Sequence, residues 1–147
     1  MPERFIVVGS NIIENNGKIL MVKEGKEIAD DKWNLPAGSM ENFENPEECA
    51  VREAKEETNL NIKPLHLVGI YIDTSDNNEE KVINFVFYSK SKGEKVHINK
   101  NDTVKDFKWF NPEEIKNLDL RADYIKQAIK DFSKNKSFQK DLISDLS

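Results

Sequence analysis

The sequence predicts an α/β (α+β) fold, a mixed β-sheet flanked by helices in a single domain, and three observations predict it. Runs rich in Val, Ile, Tyr and Phe interleave irregularly with helix signals, the mark of a layered mixed sheet. A chain of 147 residues has the size of one domain and buries one core. No repeat period and no interdomain linker breaks it. The expected domain is therefore residues 1–147, with a core over about 4–132 and a C-terminal tail at 133–147.

The first element runs from Arg4 to Lys23, two β-rich stretches around Glu14-Asn15-Asn16-Gly17. Asn-Gly tolerates positive φ, so this segment reads as a hairpin. Residues 24–32 are charged and apolar-poor, hence a loop. Trp33-Asn34-Leu35-Pro36 is a brief strand end, because Pro36 cannot occupy a central ladder position. Asn45-Pro46-Glu47-Glu48 then offers an N-cap, a proline at the first helical position and a glutamate three residues after the cap. Acidic residues there suit the positive end of the helix dipole. The helix is expected from Pro46 to about Thr58, and Asn59, which accepts the left-handed conformation, stops it.

Further on, Leu65–Thr74 and Val82–Ser89 read as strands separated by the polar loop Ser75–Glu80. Val96-His97-Ile98 and Phe107-Lys108-Trp109-Phe110 are shorter strand candidates. Asn111-Pro112-Glu113-Glu114 repeats the capping signature and starts a short helix. A longer helix is expected over Arg121–Phe132, with Tyr124, Ile125, Ala128, Ile129 and Phe132 on one apolar face. In the tail, Phe138, Leu142, Ile143 and Leu146 either add a short helix, fray, or dock on a second subunit.

Composition narrows the function classes. Hydrophobic residues at 37% and charged residues at 33% exclude a disordered tail. No apolar run approaches the roughly 18 residues of a membrane span, and the N-terminus lacks a secretory signal. The single Cys49 forms no intrachain disulfide and reads as a small buried residue, consistent with a reducing, cytoplasmic setting. A net charge of −5 argues against a nucleic-acid surface. Between Gly38 and Leu60 seven glutamates (Glu41, Glu44, Glu47, Glu48, Glu53, Glu56, Glu57) face two cations (Arg52, Lys55), so this segment holds the whole net charge. Such an excess is either a solvated acidic face or a cation site.

On the expected helix Glu53, Glu56 and Glu57 fall at i, i+3 and i+4, so three carboxylates share one face and repel each other. Lys55 points away, and the small Ala50 and Ala54 near the stripe are expected to leave room there. A hard divalent cation removes the repulsion, and Mg²⁺ takes carboxylates together with water and substrate phosphates.

The wider pattern is more specific. Gly38, five residues, Glu44, seven residues, then Arg52-Glu53-Ala54-Lys55-Glu56-Glu57-Thr58-Asn59-Leu60 resembles the Nudix box, G-x5-E-x7-R-E-U-x-E-E-x-G-U with U aliphatic. The one departure is Asn59 in place of glycine, which a left-handed helix terminus absorbs. Trp33-Asn34-Leu35-Pro36-Ala37-Gly38 and Phe107–Glu114 are similar to segments flanking the box in that superfamily. The resemblance implies a Nudix-type α/β/α sandwich over residues 4–132.

It also implies a MutT-like pyrophosphohydrolase that cleaves a phosphoric anhydride in a nucleoside diphosphate-linked compound, with Mg²⁺ as cofactor and Mn²⁺ able to substitute. The resemblance makes Glu53, Glu56 and Glu57 the metal shell, with the Gly38 carbonyl completing it. Glu53 is a candidate general base, Arg52 orients the glutamates, and Glu44 fixes the preceding loop. Asp102 and Asp106 are candidates for a loop base, ahead of Glu79 and Glu80. Trp33, Phe5 and Tyr71 are candidates to stack on a base, although a tryptophan beside Leu35 packs readily into a core. His66 and His97 lack partners at metal spacing, and Arg4, Lys23, Lys81 and Arg121 are unranked candidates for diphosphate. The expected partner is a small nucleotide, with no nucleic acid and no membrane, acting on a monomer or homodimer. The alternative is a catalytically silent nucleotide sensor of the same fold. Nucleoside triphosphates, nucleotide sugars, ADP-ribose and dinucleoside polyphosphates stay open, with a lean to a triphosphate or ADP-ribose-like substrate. Pro64 stands too near the box to be the proline associated with ADP-ribose specialists.

Overall fold

The computed structural model describes residues 4–25, 31–75, 78–98 and 104–147. The chain opens with the expected hairpin, β1 (Phe5–Asn15) and β2 (Lys18–Glu24), turning at Asn16 and Gly17 with φ of 51° and 81°. Then come β3 (Trp33–Asn34), β4 (Ala37–Ser39), α1 (Pro46–Thr58), β5 (His66–Thr74), β6 (Lys81–Lys90), β7 (Val104–Phe110), α2 (Pro112–Ile115) and α3 (Tyr124–Ser133). One seven-stranded sheet follows the order β3-β2-β1-β6-β5, with β4 paired to β1 and β7 to β2. β1 runs parallel to β6 and antiparallel to β2 and β4, which makes the sheet mixed.

Alternation along the strands assigns each face its helix. Ile12, Val86 and Tyr88 join Met21 and Val68 against Ile125, Ala128 and Ile129 of α3. The opposite face receives α1, with Ala54 packed among Ile13, Leu20 and Leu60, and Ala50 against Leu67 and Phe87. Helices on both faces give the expected α/β/α sandwich. α1 crosses β1 at Gly9, where a Cβ would lie 2.6 Å from Ala50 N and 2.7 Å from Pro46 O. Ala50 and Ala54 are thus small because the helix backbone lies close on the sheet, and both are fully buried in that packing instead of leaving open space. No described helix is long and apolar enough to cross a membrane.

Several elements differ from expectation. Residues 96–98 form no strand; Val96 is buried in the cluster around Leu60, and His97 N–H donates to Thr58 O at 3.0 Å, so these residues cap the end of α1 instead of joining a ladder. α3 starts at Tyr124, because Leu120 is held extended in a bridge to Trp33 and Arg121 N–H donates to Trp33 O at 2.8 Å. The tail forms a single 3-10 turn at Lys140–Leu142 and docks on its own chain, where Phe138 pairs with Leu67.

Candidate active site

The box helix begins and ends by local chemistry. Asn45 Oδ1 accepts from Glu48 N–H at 2.9 Å, and Glu48 Oε1 accepts from Asn45 N–H at 3.0 Å, closing a capping box. Asn59 has φ 64° and donates its N–H to Lys55 O. Between these ends the helix turns Glu53 and Glu57 toward β4 and leaves Glu56 more than half exposed.

Gly38 is the close approach that the site requires. A Cβ there would lie 2.1–2.5 Å from the Glu53 carboxylate atoms, so only glycine lets that carboxylate rest on the strand. One residue earlier, Ala37 N–H donates to Glu57 Oε1 at 2.9 Å. The strand is held to the helix by Asn11, fully buried, whose Nδ2 donates to both Pro36 O and Ala50 O at 2.9 Å. Cys49, also buried, donates its thiol to Gly38 O at 3.3 Å, and burial pushes that thiol up to about 12.

Arg52 gathers the acidic groups. Its Nε and one terminal nitrogen bind the two oxygens of Glu44 at 2.9 and 2.7 Å. The same terminal nitrogen reaches Ser39 O, and the other reaches Glu53 at 2.9 Å and Glu56 at 3.2 Å. Glu44 in turn accepts from Glu41 N–H at 2.8 Å, which folds the loop before the helix. The Arg52 guanidinium holds the Glu44 carboxyl down at about 2 and is itself held charged by that partner. Burial works the other way on the carboxylates against β4. It raises Glu53, against the pull of Arg52, and raises Glu57 well above the ordinary 4.5, with Glu53, Glu24 and Glu56 adding repulsion.

A divalent cation fits this donor set. The oxygens are hard, two carboxylates abut backbone at β4, and negative charge exceeds the single guanidinium among them. Among the described residues no three acidic, histidine or cysteine side chains already form a cage. Arg52 takes only one oxygen of each of Glu53 and Glu56, which leaves the second oxygen of each for an ion while the Glu44 fork keeps Arg52 in place.

A cleft of about 1050 Å³ opens on the α3 side of the sheet. Ile6, Val8, Val82 and Asn84 floor it, Ala37–Ser39 form one wall, and Leu120–Tyr124 form the other. Gly38 lines the cleft and carries the Glu53 carboxylate against it, so the helix glutamates meet the cleft at β4. Polar groups on the lining include Glu24, Lys32, Asn34, Asp73, Arg121 and Asp123.

Other candidates lie apart. Trp33 packs edge-on against Phe110 at 5.0 Å with Lys23 Nζ over its ring, and is not on the cleft lining. Tyr71 donates to Asp131 at 2.8 Å in the α3 core, and Phe5 is exposed. Asp106 is on β7, opposite Lys23, away from the cleft, and accepts from Phe107 N–H; Asp102 lies outside the described residues. His66 stacks on Tyr88. Sequence reasoning missed Asn11, Glu24, Lys32, Asp73 and Asp123. Only Ser10-Asn11, a polar pair inside an apolar strand, carried a local signal.

The NUDIX domain family model matches residues 3–132. The chain belongs to the Nudix family. Among its relatives, ADP-ribose pyrophosphatase of Methanocaldococcus jannaschii is 32% identical over 131 residues, covering 89% of this chain and 75% of that protein. A Caenorhabditis elegans relative with the designation nudix hydrolase 1 is 29% identical over 86% of this chain, which spans only 33% of its length. The structure of a NUDIX hydrolase from Nitrosomonas europaea superposes with a TM-score of 0.83 at 26% identity over 97% of each chain. Nudix proteins generally use divalent metal ions, in line with the carboxylate set described above.

Proposed function

We propose that this Nudix chain is a Mg²⁺-dependent pyrophosphohydrolase that cleaves the diphosphate of a nucleoside diphosphate linked to a second group, with an ADP-ribose-like compound as the favoured substrate. The observation that carries it is the arrangement at β4. Glu53 rests on Gly38 and Glu57 is hydrogen-bonded to Ala37, so two carboxylates bear on the strand that walls the cleft. When bound by Glu53, Glu56, Glu57 and Gly38 O, Mg²⁺ supplies Lewis-acid activation of a phosphoryl oxygen and lowers the pKa of the attacking water.

The chain's own residues do the rest. Glu53, whose carboxylate abuts the cleft wall, accepts the proton of the attacking water. Arg52 keeps its bidentate hold on Glu44 and so fixes the side from which Glu53 and Glu56 act. Lys32 and Arg121 on the lining supply positive charge for phosphate, and Glu24, Asp73 and Asp123 supply acceptors suited to ribose hydroxyls or an exocyclic amine. The cleft reaches the upper end of the usual ligand-pocket range, about 300–1,000 Å³, which favours a two-ended molecule with a central diphosphate over a triphosphate. The Methanocaldococcus jannaschii relative's name supports the same choice.

The test is a product screen with Mg²⁺ or Mn²⁺ over ADP-ribose, nucleotide sugars, nucleoside triphosphates and dinucleoside polyphosphates. Release of AMP and ribose 5-phosphate from ADP-ribose, at a higher kcat/KM than for any triphosphate, is expected. Tight binding without turnover across the panel makes the chain a sensor and overturns the proposal.

A further inference from the structure

The family match ends at residue 132, yet the tail beyond it is fastened to the start of α1. Phe138 and Leu67 exchange two backbone hydrogen bonds of 2.8 Å, which ties the tail to the outer edge of β5. After the 3-10 turn, Ile143 packs on the cluster of Ala50, Leu67 and Phe87. Lys140 Nζ lies 3.2 Å from Glu47 Oε2, and Asp145 Oδ2 accepts from Asn45 Nδ2 at 2.9 Å. The seam between tail and helix encloses about 50 Å³, room for little more than a water molecule.

Three of these contacts fall on residues that begin the box helix. Asn45 is its N-cap, with Oδ1 taken by Glu48 N–H and Nδ2 by Asp145, so the amide cannot turn without losing both partners. Glu47 is in the first turn, and Ala50 is on the buried face. The residue before the cap is Glu44, which grips Arg52, and Arg52 holds Glu53 and Glu56. A displaced cap therefore reaches the carboxylates through one backbone step and one guanidinium. Exposed ion pairs contribute little by themselves, so the Phe138 bridge and Ile143 carry the attachment, while Lys140 and Asp145 set where it sits.

We propose that residues 138–145 are an intramolecular strap that fixes the N-terminal end of α1 on the sheet and, through Asn45, Glu44 and Arg52, places Glu53 and Glu56. The inference rests on the proposed role of those carboxylates, and it makes Asp145 a positioning residue that touches no substrate. It also gives the tail an occupant role within its own chain.

Hydrogen exchange and kinetics on full-length variants test it. Phe138→Pro with Ile143→Asp removes a bridge donor and the apolar anchor. Exchange over residues 44–50 is expected to accelerate about tenfold, with α3 and β1 unchanged. kcat is expected to fall about tenfold with KM changed by less than about twofold. Asp145→Ala is expected to reproduce part of both effects, and Asp145→Asn, which keeps an acceptor for Asn45, to restore them. Unchanged exchange over 44–50, or equal acceleration in every segment with no difference between the Asp145 variants, overturns the strap. Local acceleration with unchanged kcat overturns its link to Glu53 and Glu56. Exchange is read without substrate or ion, so it decides the strap even in a chain that hydrolyses nothing.

Discussion

Replacing Gly38 by alanine separates catalysis from folding. The new Cβ would sit 2.1 Å from Glu53 Cδ and 2.2 and 2.5 Å from its oxygens, whereas ordinary contact begins at 3.4 Å. The carboxylate must retreat by about 1.3 Å, the difference between 3.4 and 2.1 Å. Mg²⁺ binds oxygen only near 2.0–2.1 Å and in near-octahedral geometry, and a misplacement of about 1 Å costs on the order of 10²-fold in rate. Folding has no corresponding cost. Gly38 is not in the left-handed region, and the obstacle is the far end of a flexible side chain. Gly→Ala at a compatible site stabilises by about 0.4–1 kcal/mol through the unfolded chain. Gly38→Ala is therefore expected to lose on the order of 10²-fold in kcat/KM for ADP-ribose while its Tm holds or rises. AMP release with Mg²⁺ and thermal unfolding on one preparation measure both. Activity within about threefold of the unaltered chain refutes the reasoning, because Glu53 then does not need its seat on β4.

Three further outcomes follow from the same contacts. Gly9→Ala meets backbone, Ala50 N at 2.6 Å and Pro46 O at 2.7 Å, so it is expected to destabilise by about 1–3 kcal/mol in denaturant unfolding, the reverse of Gly38→Ala. Arg52→Lys keeps the charge but cannot span Glu44, Glu53, Glu56 and Ser39 O together; steady-state kinetics are expected to show about a 10–100-fold loss in kcat. For Glu44 the carboxyl is depressed from 4.5 to about 2, so its contribution is present above pH 4.5 and is lost as pH falls through about 2. Glu44→Gln is expected to cost about 2 kcal/mol at pH 7, with the Tm gap closing between pH 4.5 and 2; a gap constant with pH contradicts the Arg52 fork.

What the sequence made legible was local. Asn45-Pro46-Glu47-Glu48 and Asn59 bounded α1 to the residue, because capping chemistry is written in neighbouring side chains. The Gly38-to-Glu57 spacing marked the candidate site, and the fold brings Gly38 against Glu53 and Ala37 against Glu57. What it did not make legible depends on contacts distant along the chain. Val96 satisfied its burial against Leu60 without a partner strand, and the bridge from Trp33 to Leu120 delayed α3. Ala50 and Ala54 are small because Gly9, more than forty positions away, admits the helix backbone. Glu24, Asp73 and Asp123 share a cleft only because β2, β5 and the α3 entry converge on one sheet face. The tail held an apolar pattern open to a short helix, fraying or a second subunit, and its docking on the edge of β5 and the start of α1 of its own chain was not among those uses.

The most direct measurement is the position of a bound ion. Anomalous diffraction from crystals soaked in Mn²⁺ is expected to show a peak within about 2.2 Å of Glu56, Glu57 and Gly38 O, with Glu53 at or beside it and Arg52 still on Glu44. A peak away from β4, or none at Mn²⁺ concentrations that support full turnover, contradicts the proposal that these glutamates hold the catalytic cation.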